Sequence, residues 1–352
     1  MGDTDTTDTP SSSTTGLTVA SLASFGPART VDLAVRAGEL GYGSVWTAEA
    51  AGAESFSMLG AIGARTSGVD LATGIVPVQT RSVTTLAMAA ATLQDLNPDR
   101  DVLLGLGAST PIIAERWHGA TYGASPLAHL REAVDALRAL WAGERVKVDG
   151  EYVSLRGARL GVRVGERTPK VVLAALGPRM LALAGEVADG VLLNYLPSSL
   201  VEWSVDRVRE AEAAAGRAPG SCRIHAYVHV GVTAPTDRTL DLARRDLHGY
   251  AMADGYAASF RRAGFTTEVD ALREAERAGD RDAARAAITR AMADAIDPVG
   301  TADEARAFVD GYRRAGVDDV VVMPLPWGDD RTATVHATLD ALAPAPVAAS
   351  AG

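Results

Sequence analysis

Residues 171–180 have the residue types of a phosphate-binding turn. The segment reads VVLAALGPRM, an apolar run followed at once by Gly177 and Pro178. Proline is favoured at the first position of a helix because its missing N–H has no partner there. The free N–H groups of Arg179 and Met180, together with the positive end of the helix dipole, would then face an anion. The pattern predicts a phosphate site, and an ordinary strand-to-helix turn is the alternative.

Three side chains of the acid-base type follow two other apolar runs. Glu49 comes after the run at residues 44–48, and Glu115 and His118 come after the sequence GLGAST at residues 105–110. Carboxyl and imidazole groups are the usual general acids and bases of enzymes. Each residue is therefore a candidate proton donor or acceptor, and a solvated surface role is the alternative for each of them.

The common catalytic signatures are missing from the chain. It has no HExxH, GxxxxGK[ST] or GxSxG sequence, which removes the main support for zinc proteolysis, P-loop chemistry and α/β-hydrolase chemistry. Gly105 and Gly107 are followed by Thr110, where a dinucleotide-binding fingerprint needs glycine or alanine. These glycines indicate a tight turn at the end of a strand.

Metal and disulfide chemistry also lack support. His225 and His229 share a face of one predicted strand, but a rise of roughly 3.3 Å per residue puts them about 13 Å apart. They cannot bind one ion together, and we predict no metal site. Cys222 is the single cysteine, which excludes an intrachain disulfide and a multi-cysteine zinc site.

The charge balance excludes two classes of partner. The 352 residues include 44 acids and 34 bases, which gives a formal net charge of −10. Such a surface repels phosphate backbones and anionic headgroups, so neither nucleic acid nor membrane is an expected partner. No apolar run approaches the roughly 18 residues of a membrane span, and residues 1–16 lack the pattern of a signal peptide. We therefore expect a cytoplasmic protein.

Short apolar runs alternate with stretches of helical period from Leu17 onward. Eight strands are predicted, at residues 17–24, 44–48, 69–76, 101–107, 170–175, 190–195, 222–233 and 317–323. Eight such alternations predict an α/β protein with a TIM barrel, and a doubly wound sheet is the alternative. We predict a single barrel domain over residues 17–345, a disordered tail at residues 1–16 and a flexible end at residues 346–352.

Helix signals support this alternation and reveal two additions to a minimal barrel. Ser125 before Pro126 predicts one helix start, and Thr301 with Glu304 predicts a capping box. Gly316 predicts a helix end before the last strand. Residues 145–168 predict a loop or hairpin, and residues 237–297 predict a helical insertion between the seventh and eighth strands. The insertion begins with aromatic residues that predict either a substrate lid or extra packing outside the barrel, at Tyr250, Tyr256, Phe260 and Phe265.

Several of these segments together resemble the bacterial luciferase-like superfamily. They are TGIVP, LQDLNPDRDVLLGLG, PLAHLREAVDALRALWAG, VVLAALGPRMLALAGEVADGVLLN and VGTADEARAFVDGYRRAGVDDVVVMPL. The chain is most similar to the coenzyme F420-dependent group that resembles methylenetetrahydromethanopterin reductase. The resemblance implies a TIM barrel, usually a homodimer, that binds F420 or FMN at the carboxyl ends of its strands.

The resemblance also implies roles for particular residues. It implies a non-prolyl cis peptide between Gly74 and Ile75, in a bulge that continues into Val76 and lies behind the central ring of the cofactor. It implies that Gly107 and Ala108 lie beside that ring. The implied phosphate site consists of Ala174, Ala175, Leu176, Gly177 and Pro178, to which the helix-terminus argument adds Arg179.

The chain departs from the family pattern at two positions. Relatives often have a histidine after the acid that follows the second strand, whereas Ala50 follows Glu49 here; some relatives have a glutamate in place of Ala108. The candidate acids and bases are then Glu49, Glu115 and His118. The resemblance implies an F420-dependent oxidoreductase that transfers hydride to or from a small organic substrate. An FMN-dependent monooxygenase and a non-catalytic cofactor-binding protein are the alternatives.

Aromatic residues near the strand ends predict a hydrophobic or planar substrate. They are Trp46, Tyr195, Tyr250, Tyr256 and Trp327.

Overall fold

Eight parallel strands close into a barrel in the computed structural model, which describes residues 14–345. The strands are Thr14–Thr18, Ser44–Thr47, Asp70–Thr73, Val102–Gly107, Lys170–Ala174, Gly190–Leu193, Arg223–Val232 and Asp319–Pro324. Each strand pairs in parallel with the next, and the first pairs with the eighth, which closes the ring. The predicted TIM barrel is confirmed, and the doubly wound alternative is wrong.

The first strand differs most from its prediction. It begins at Thr14, where Thr14 pairs with Asp319 and Gly16 pairs with Val321. The expectation of disorder is therefore wrong for residues 14–16, because an open strand edge is available to them; the rest of the predicted tail and residues 346–352 lie outside the described residues. The predicted continuation of this strand is a 3₁₀ helix, Ala20–Phe25.

Helices surround the barrel and cover the outer faces of its strands. The outer layer contains Pro27–Glu39, Ser55–Gly63, Val83–Leu96, Pro126–Trp141, Pro178–Val187, Ser198–Ala214, Ala302–Arg314 and Arg331–Leu342. The predicted helix signals are confirmed, since Ser125 accepts the N–H of Ala128 and Thr301 forms a capping box with Glu304. Gly316 has a φ of +100°, as a left-handed helix end requires. No helix within residues 14–345 is both long and apolar enough to cross a bilayer.

The interior of the barrel is filled by side chains rather than open. Inward-facing residues of the strands form this inner core: Trp46, Ala72, Leu103, Val172, Leu192, Tyr227, Val321 and Met323. A larger core lies between the strands and the outer helices. A ligand must therefore bind above the inner core, at the carboxyl ends of the strands.

Both predicted additions are present. Strands Val146–Asp149 and Ser154–Ala158 form an antiparallel hairpin. The insertion between the seventh and eighth strands consists of five helices, Asp237–Ala251, Asp254–Arg262, Thr266–Arg277, Arg281–Ala286 and Arg290–Ile296. The insertion has its own core, in which Phe260 and Leu247 are fully buried. Two-residue strands at Val76–Pro77 and Val299–Gly300 pair in parallel with the fourth and the seventh strand, respectively.

Candidate active site at the carboxyl ends of the strands

A bulge at the end of the third strand forms the centre of the site. The peptide bond between Gly74 and Ile75 is cis, as the resemblance implied. The N–H of Gly74 donates to the carbonyl of Thr47 at 2.5 Å, and Tyr227 Oη donates to the Gly74 carbonyl at 2.8 Å. A Cβ atom at position 74 would lie 2.0 Å from Tyr227 Oη. Only glycine fits this close approach.

Small residues surround Ile75 and leave room above it. Ile75 is partly exposed, and a Cβ atom on Gly107 would lie 2.9 Å from Ile75 Cγ1 and 3.4 Å from Ala174 Cβ. The third, fourth and fifth strands therefore meet around this side chain. Ala108 and Ala174 are partly exposed beside it, whereas Val76 is fully buried and supports the bulge from behind. The result is a flat, apolar surface suited to a planar ring. We call this surface the bed, and it consists of Ile75, Gly107, Ala108 and Ala174.

The predicted anion turn begins where the sequence placed it. Helix Pro178–Val187 starts at the proline, with Gly177 as the residue before it and no side chain capping the start. A Cβ atom on Gly177 would meet no atom within 4 Å, so the space in front of the helix is open. The expectation for Met180 is wrong, because its N–H donates to the Gly177 carbonyl at 3.1 Å within a tight first turn. Arg179 is exposed at this opening.

The other two residues of the predicted phosphate turn differ in exposure. Ala175 is buried, and its N–H donates to the carbonyl of Leu192 at 3.1 Å. Leu176 is partly exposed. The open side of the turn is therefore formed by Leu176, Gly177 and the first turn of the helix.

Glu49 is held in an ion pair with Arg81 beside the bulge. Its two carboxylate oxygens lie 2.7 and 3.0 Å from the guanidinium of Arg81, and it also accepts the N–H of Ser55 at 3.1 Å. The hydrogen bonds that Arg81 donates to Glu49 raise the pKa of Arg81. The backbone N–H of Glu49 donates to the Ile75 carbonyl at 3.1 Å. These contacts suit a residue that positions the bulge.

Glu115 and His118 belong to an exposed segment after the fourth strand. This segment includes a π-helical turn, Ile112–Trp117, and both acid-base side chains are exposed. His118 Nε2 lies 2.5 Å from the Ala50 carbonyl, directly after Glu49. Glu115 accepts the N–H of Tyr122 at 3.4 Å. His118 is thus held close to the bulge, and its imidazole remains open to solvent.

The prediction that aromatic residues line the opening is wrong for most of them. Trp46 is fully buried inside the barrel, where its Nε1 donates to Ser44 Oγ at 2.9 Å. Tyr195 is buried in the core of the insertion, with its ring centre 3.7 Å from that of Tyr250 and 5.8 Å from that of Tyr256. Burial raises the pKa of Tyr250 to about 12. The aromatic part of the insertion packs as a core that includes Tyr195 of the barrel.

Sequence analysis missed a buried polar network beside these aromatic rings. His229 Nδ1 lies 2.8 Å from Asp297 Oδ1, and its Nε2 lies 2.8 Å from Asn194 Oδ1. Tyr195 Oη donates to Asp246 at 2.7 Å. Burial, and then the nearby charge of Asp297, raises the pKa of Asp246 to about 6. Nothing in the sequence brings these residues together, because Asn194 and Asp297 are about a hundred positions apart.

The fold and the site together define an α/β-barrel protein with a planar bed and an open helix start at the carboxyl ends of its strands. The sequence model of the luciferase-like monooxygenase family matches residues 6–319. The chain belongs to this family, and it is an enzyme of the luciferase-like class.

Individual relatives cover most of the chain. It is 30% identical over 286 residues to the 5,10-methylenetetrahydromethanopterin reductase of Archaeoglobus fulgidus, an alignment that covers 80% of this chain and 84% of the relative. It is 29% identical over 320 residues to a putative coenzyme F420-dependent oxidoreductase of Mycobacterium tuberculosis, with 84% and 90% covered. The solved structure of the coenzyme F420-dependent tetrahydromethanopterin reductase from Methanopyrus kandleri shares the fold, with a TM-score of 0.80, 22% identity, and 94% and 98% covered.

Proposed function

We propose that this protein is an F420-dependent oxidoreductase that transfers hydride between the deazaflavin and a small organic substrate. The observation that carries the proposal is the apolar bed around the cis bulge, with Ile75 partly exposed between small residues. Relatives that align over most of the chain are described as acting with coenzyme F420. The proposal extends that dependence to this chain.

The residues present fit such a cofactor. A planar ring fits above Ile75, because Gly107 and Ala108 on one side and Ala174 on the other add little bulk. A phosphate fits at the start of helix Pro178–Val187, where the helix dipole is positive and no side chain occupies the space before Gly177. When bound, the cofactor would supply the hydride chemistry, and the protein would supply position and a proton.

The side chain that exchanges a proton with the substrate belongs, in this proposal, to the segment after the fourth strand. Glu49 instead has a positioning role. The Glu49 carboxylate already accepts hydrogen bonds from Arg81 and Ser55, which occupy both of its oxygens. His118 contacts a backbone carbonyl through Nε2 only, which leaves Nδ1 able to exchange a proton with a substrate above the bed. Glu115 is the second candidate, since its side chain is equally exposed.

The first test is a binding titration of the purified protein with oxidised F420 and, in parallel, with oxidised FMN. We expect F420 to bind at least tenfold more tightly, a difference of about 1.4 kcal/mol. A preference for FMN would overturn the proposal in favour of a monooxygenase on the same barrel. Tight binding of F420 without turnover of any alcohol, imine, alkene or carbonyl substrate would favour a non-catalytic binding protein.

Gly177→Asp tests the anion turn. An aspartate before Pro178 is a good helix start, so the protein should fold, but its carboxylate would repel a phosphate at the positive end of this helix. We expect F420 affinity to fall at least tenfold. Gly165→Asp adds the same charge at an open position of another loop and should leave affinity unchanged. Unchanged affinity in Gly177→Asp would remove the phosphate from this turn.

A further inference from the structure

We propose that His229, Asp246 and Asp297 form a binding site for one divalent transition-metal ion such as Zn²⁺, which links the helical insertion to the barrel. One ligand atom from each residue lies within 4.8 Å of the other two. Histidine nitrogen and carboxylate oxygen are ordinary zinc ligands. None of its three residues contributes to the proposed cofactor bed, and metal binding here does not require F420.

The three residues come from three different parts of the fold. His229 lies on the seventh strand, Asp246 on helix Asp237–Ala251, and Asp297 directly after helix Arg290–Ile296. The side chains of His229 and Asp297 are only 1% and 0% exposed. An ion here would therefore connect the barrel to both ends of the insertion.

Partner residues orient the ligands as metal sites require. Asn194 Oδ1 accepts the N–H of Tyr195 at 3.0 Å, so the oxygen of this amide faces His229. His229 Nε2 then carries a hydrogen and donates it to Asn194, so an ion that enters between Nδ1 and Asp297 Oδ1, which lie 2.8 Å apart, would replace their contact and bind the lone pair of Nδ1. Metal-binding histidines typically donate their other nitrogen to a carbonyl or carboxylate in this way. Tyr195 Oη likewise donates to Asp246.

One atom of the cluster lacks a partner. Asp297 Oδ2 is buried and receives no hydrogen bond from any residue in the described range 14–345. A buried carboxylate oxygen without a donor is costly, and a second carboxylate close to it raises that cost. A divalent cation would satisfy this oxygen and neutralise both carboxylates.

The experiment uses the full-length protein after removal of metal with EDTA and removal of the chelator. Zn²⁺ is added back, and bound metal is counted by elemental analysis after desalting, with the melting temperature measured in parallel. We expect one Zn²⁺ per chain and a higher melting temperature, because a ligand that binds only the folded state stabilises it. Mg²⁺ should not raise the melting temperature, since it prefers oxygen ligands and retains its waters.

Asp246→Asn and a matched control locate the ion. Asp246→Asn should weaken zinc binding at least tenfold and abolish the zinc-dependent rise in melting temperature. Asp294→Asn removes the same charge from an exposed position three residues before Asp297 and should bind zinc as the wild type does. Circular dichroism of each variant reports whether it is folded.

Two results would overturn the proposal. The first is that the wild type binds no zinc above background while Asp246→Asn folds with undiminished stability. This result would indicate that Asp246 and Asp297 share a proton. The second is wild-type zinc affinity in Asp246→Asn, which would place the ion on other side chains.

Discussion

At the scale of single residues, Gly74 packs directly against aromatic side chains of the inner core of the barrel. A Cβ atom there would lie 2.0 Å from Tyr227 Oη and 2.9 Å from Trp46 Cε3. Both aromatic side chains are buried in the inner core and have little room to withdraw. We expect Gly74→Ala to lower the free energy of unfolding by about 1 to 3 kcal/mol, measured by urea denaturation.

Gly249→Ala is the control for this substitution. Gly249 is exposed within helix Asp237–Ala251, and a Cβ atom there would meet nothing within 4 Å. Alanine in a helix interior should stabilise the protein by about 0.5 to 1 kcal/mol. Wild-type stability of Gly74→Ala would contradict the close packing.

Glu49→Gln tests whether Glu49 positions the bulge or transfers a proton. The substitution removes the charge that pairs with Arg81 in a largely buried setting, so we expect a stability loss of about 3 kcal/mol. Glu54→Gln removes the more exposed partner of Arg81 and should cost under about 1 kcal/mol. The pH profile of turnover should keep its shape in Glu49→Gln, whereas loss of a limb of that profile would make Glu49 a catalytic acid or base.

The sequence could predict a residue of the site only where a local sequence pattern identifies it. The start of the helix at Pro178 follows from proline and glycine chemistry, and the cis bond at Gly74 follows from the resemblance. The contact of His229 with Asp297 was not predictable, because it depends on how the insertion folds back onto the seventh strand. The pairing of Glu49 with Arg81 was not predictable because it depends on how the segments after the second and third strands meet.

At the scale of elements, Asp319 connects three strands at the amino-terminal end of the barrel. It begins the eighth strand, forms two 2.8 Å hydrogen bonds with Arg223 of the seventh, and accepts a hydrogen bond from Thr14 of the first. Burial alone would raise the pKa of Asp319, but His225 Nδ1, 3.2 Å away, and the hydrogen bonds from Arg223 outweigh it and hold the pKa well below its ordinary value. The ionised carboxylate therefore stabilises the closed ring.

We expect Asp319→Asn to cost about 2 kcal/mol of stability near neutral pH. A lowered pKa stabilises the folded state above the ordinary value of 3.8, and this stability is lost as pH falls toward the folded pKa. The difference between wild type and variant in urea denaturation should therefore shrink from pH 7 to pH 3. Asp310→Asn, at an exposed helix position, should show a small difference at both pH values. A constant difference for Asp319→Asn would contradict the ionic contribution.

The elements themselves were largely predictable, because alternating apolar runs and helix caps are local patterns. Seven of the eight strands lie within a few residues of their predicted bounds, and the caps at Ser125 and Thr301 are where the sequence placed them. The first strand begins at Thr14 rather than at Leu17, because its pairing with the eighth strand, about 300 residues later, cannot be seen in the local sequence. Helical spacing does not say whether Tyr256 and Phe260 face solvent or each other, so the sequence could not predict that both pack in the core of the insertion.

At the scale of the whole molecule, helix Val83–Leu96 carries an exposed apolar surface that no other part of residues 14–345 covers. Met88 and Leu96 are 51% and 70% exposed on helix Val83–Leu96, and they line a groove of about 350 Å³ with Phe56 and Leu93. The family resemblance implies a homodimer, and we expect a second copy of the chain to cover this surface. Leu96→Glu should shift a dimer toward monomer in light scattering, whereas Met252→Glu, at an exposed position on the insertion, should not. A wild-type protein that stays monomeric at micromolar concentration would contradict this assignment.

Closure of the ring has a consequence for synthesis of the chain on the ribosome. Thr14 and its partner Asp319 are separated by 305 positions. At about 5 to 20 residues per second, roughly 15 to 60 s pass between the emergence of the first strand and that of the eighth. During that interval the nascent protein has an unpaired strand edge on each side of the gap. These edges are where we expect chaperones to act, or a neighbouring nascent chain to insert its own last strand.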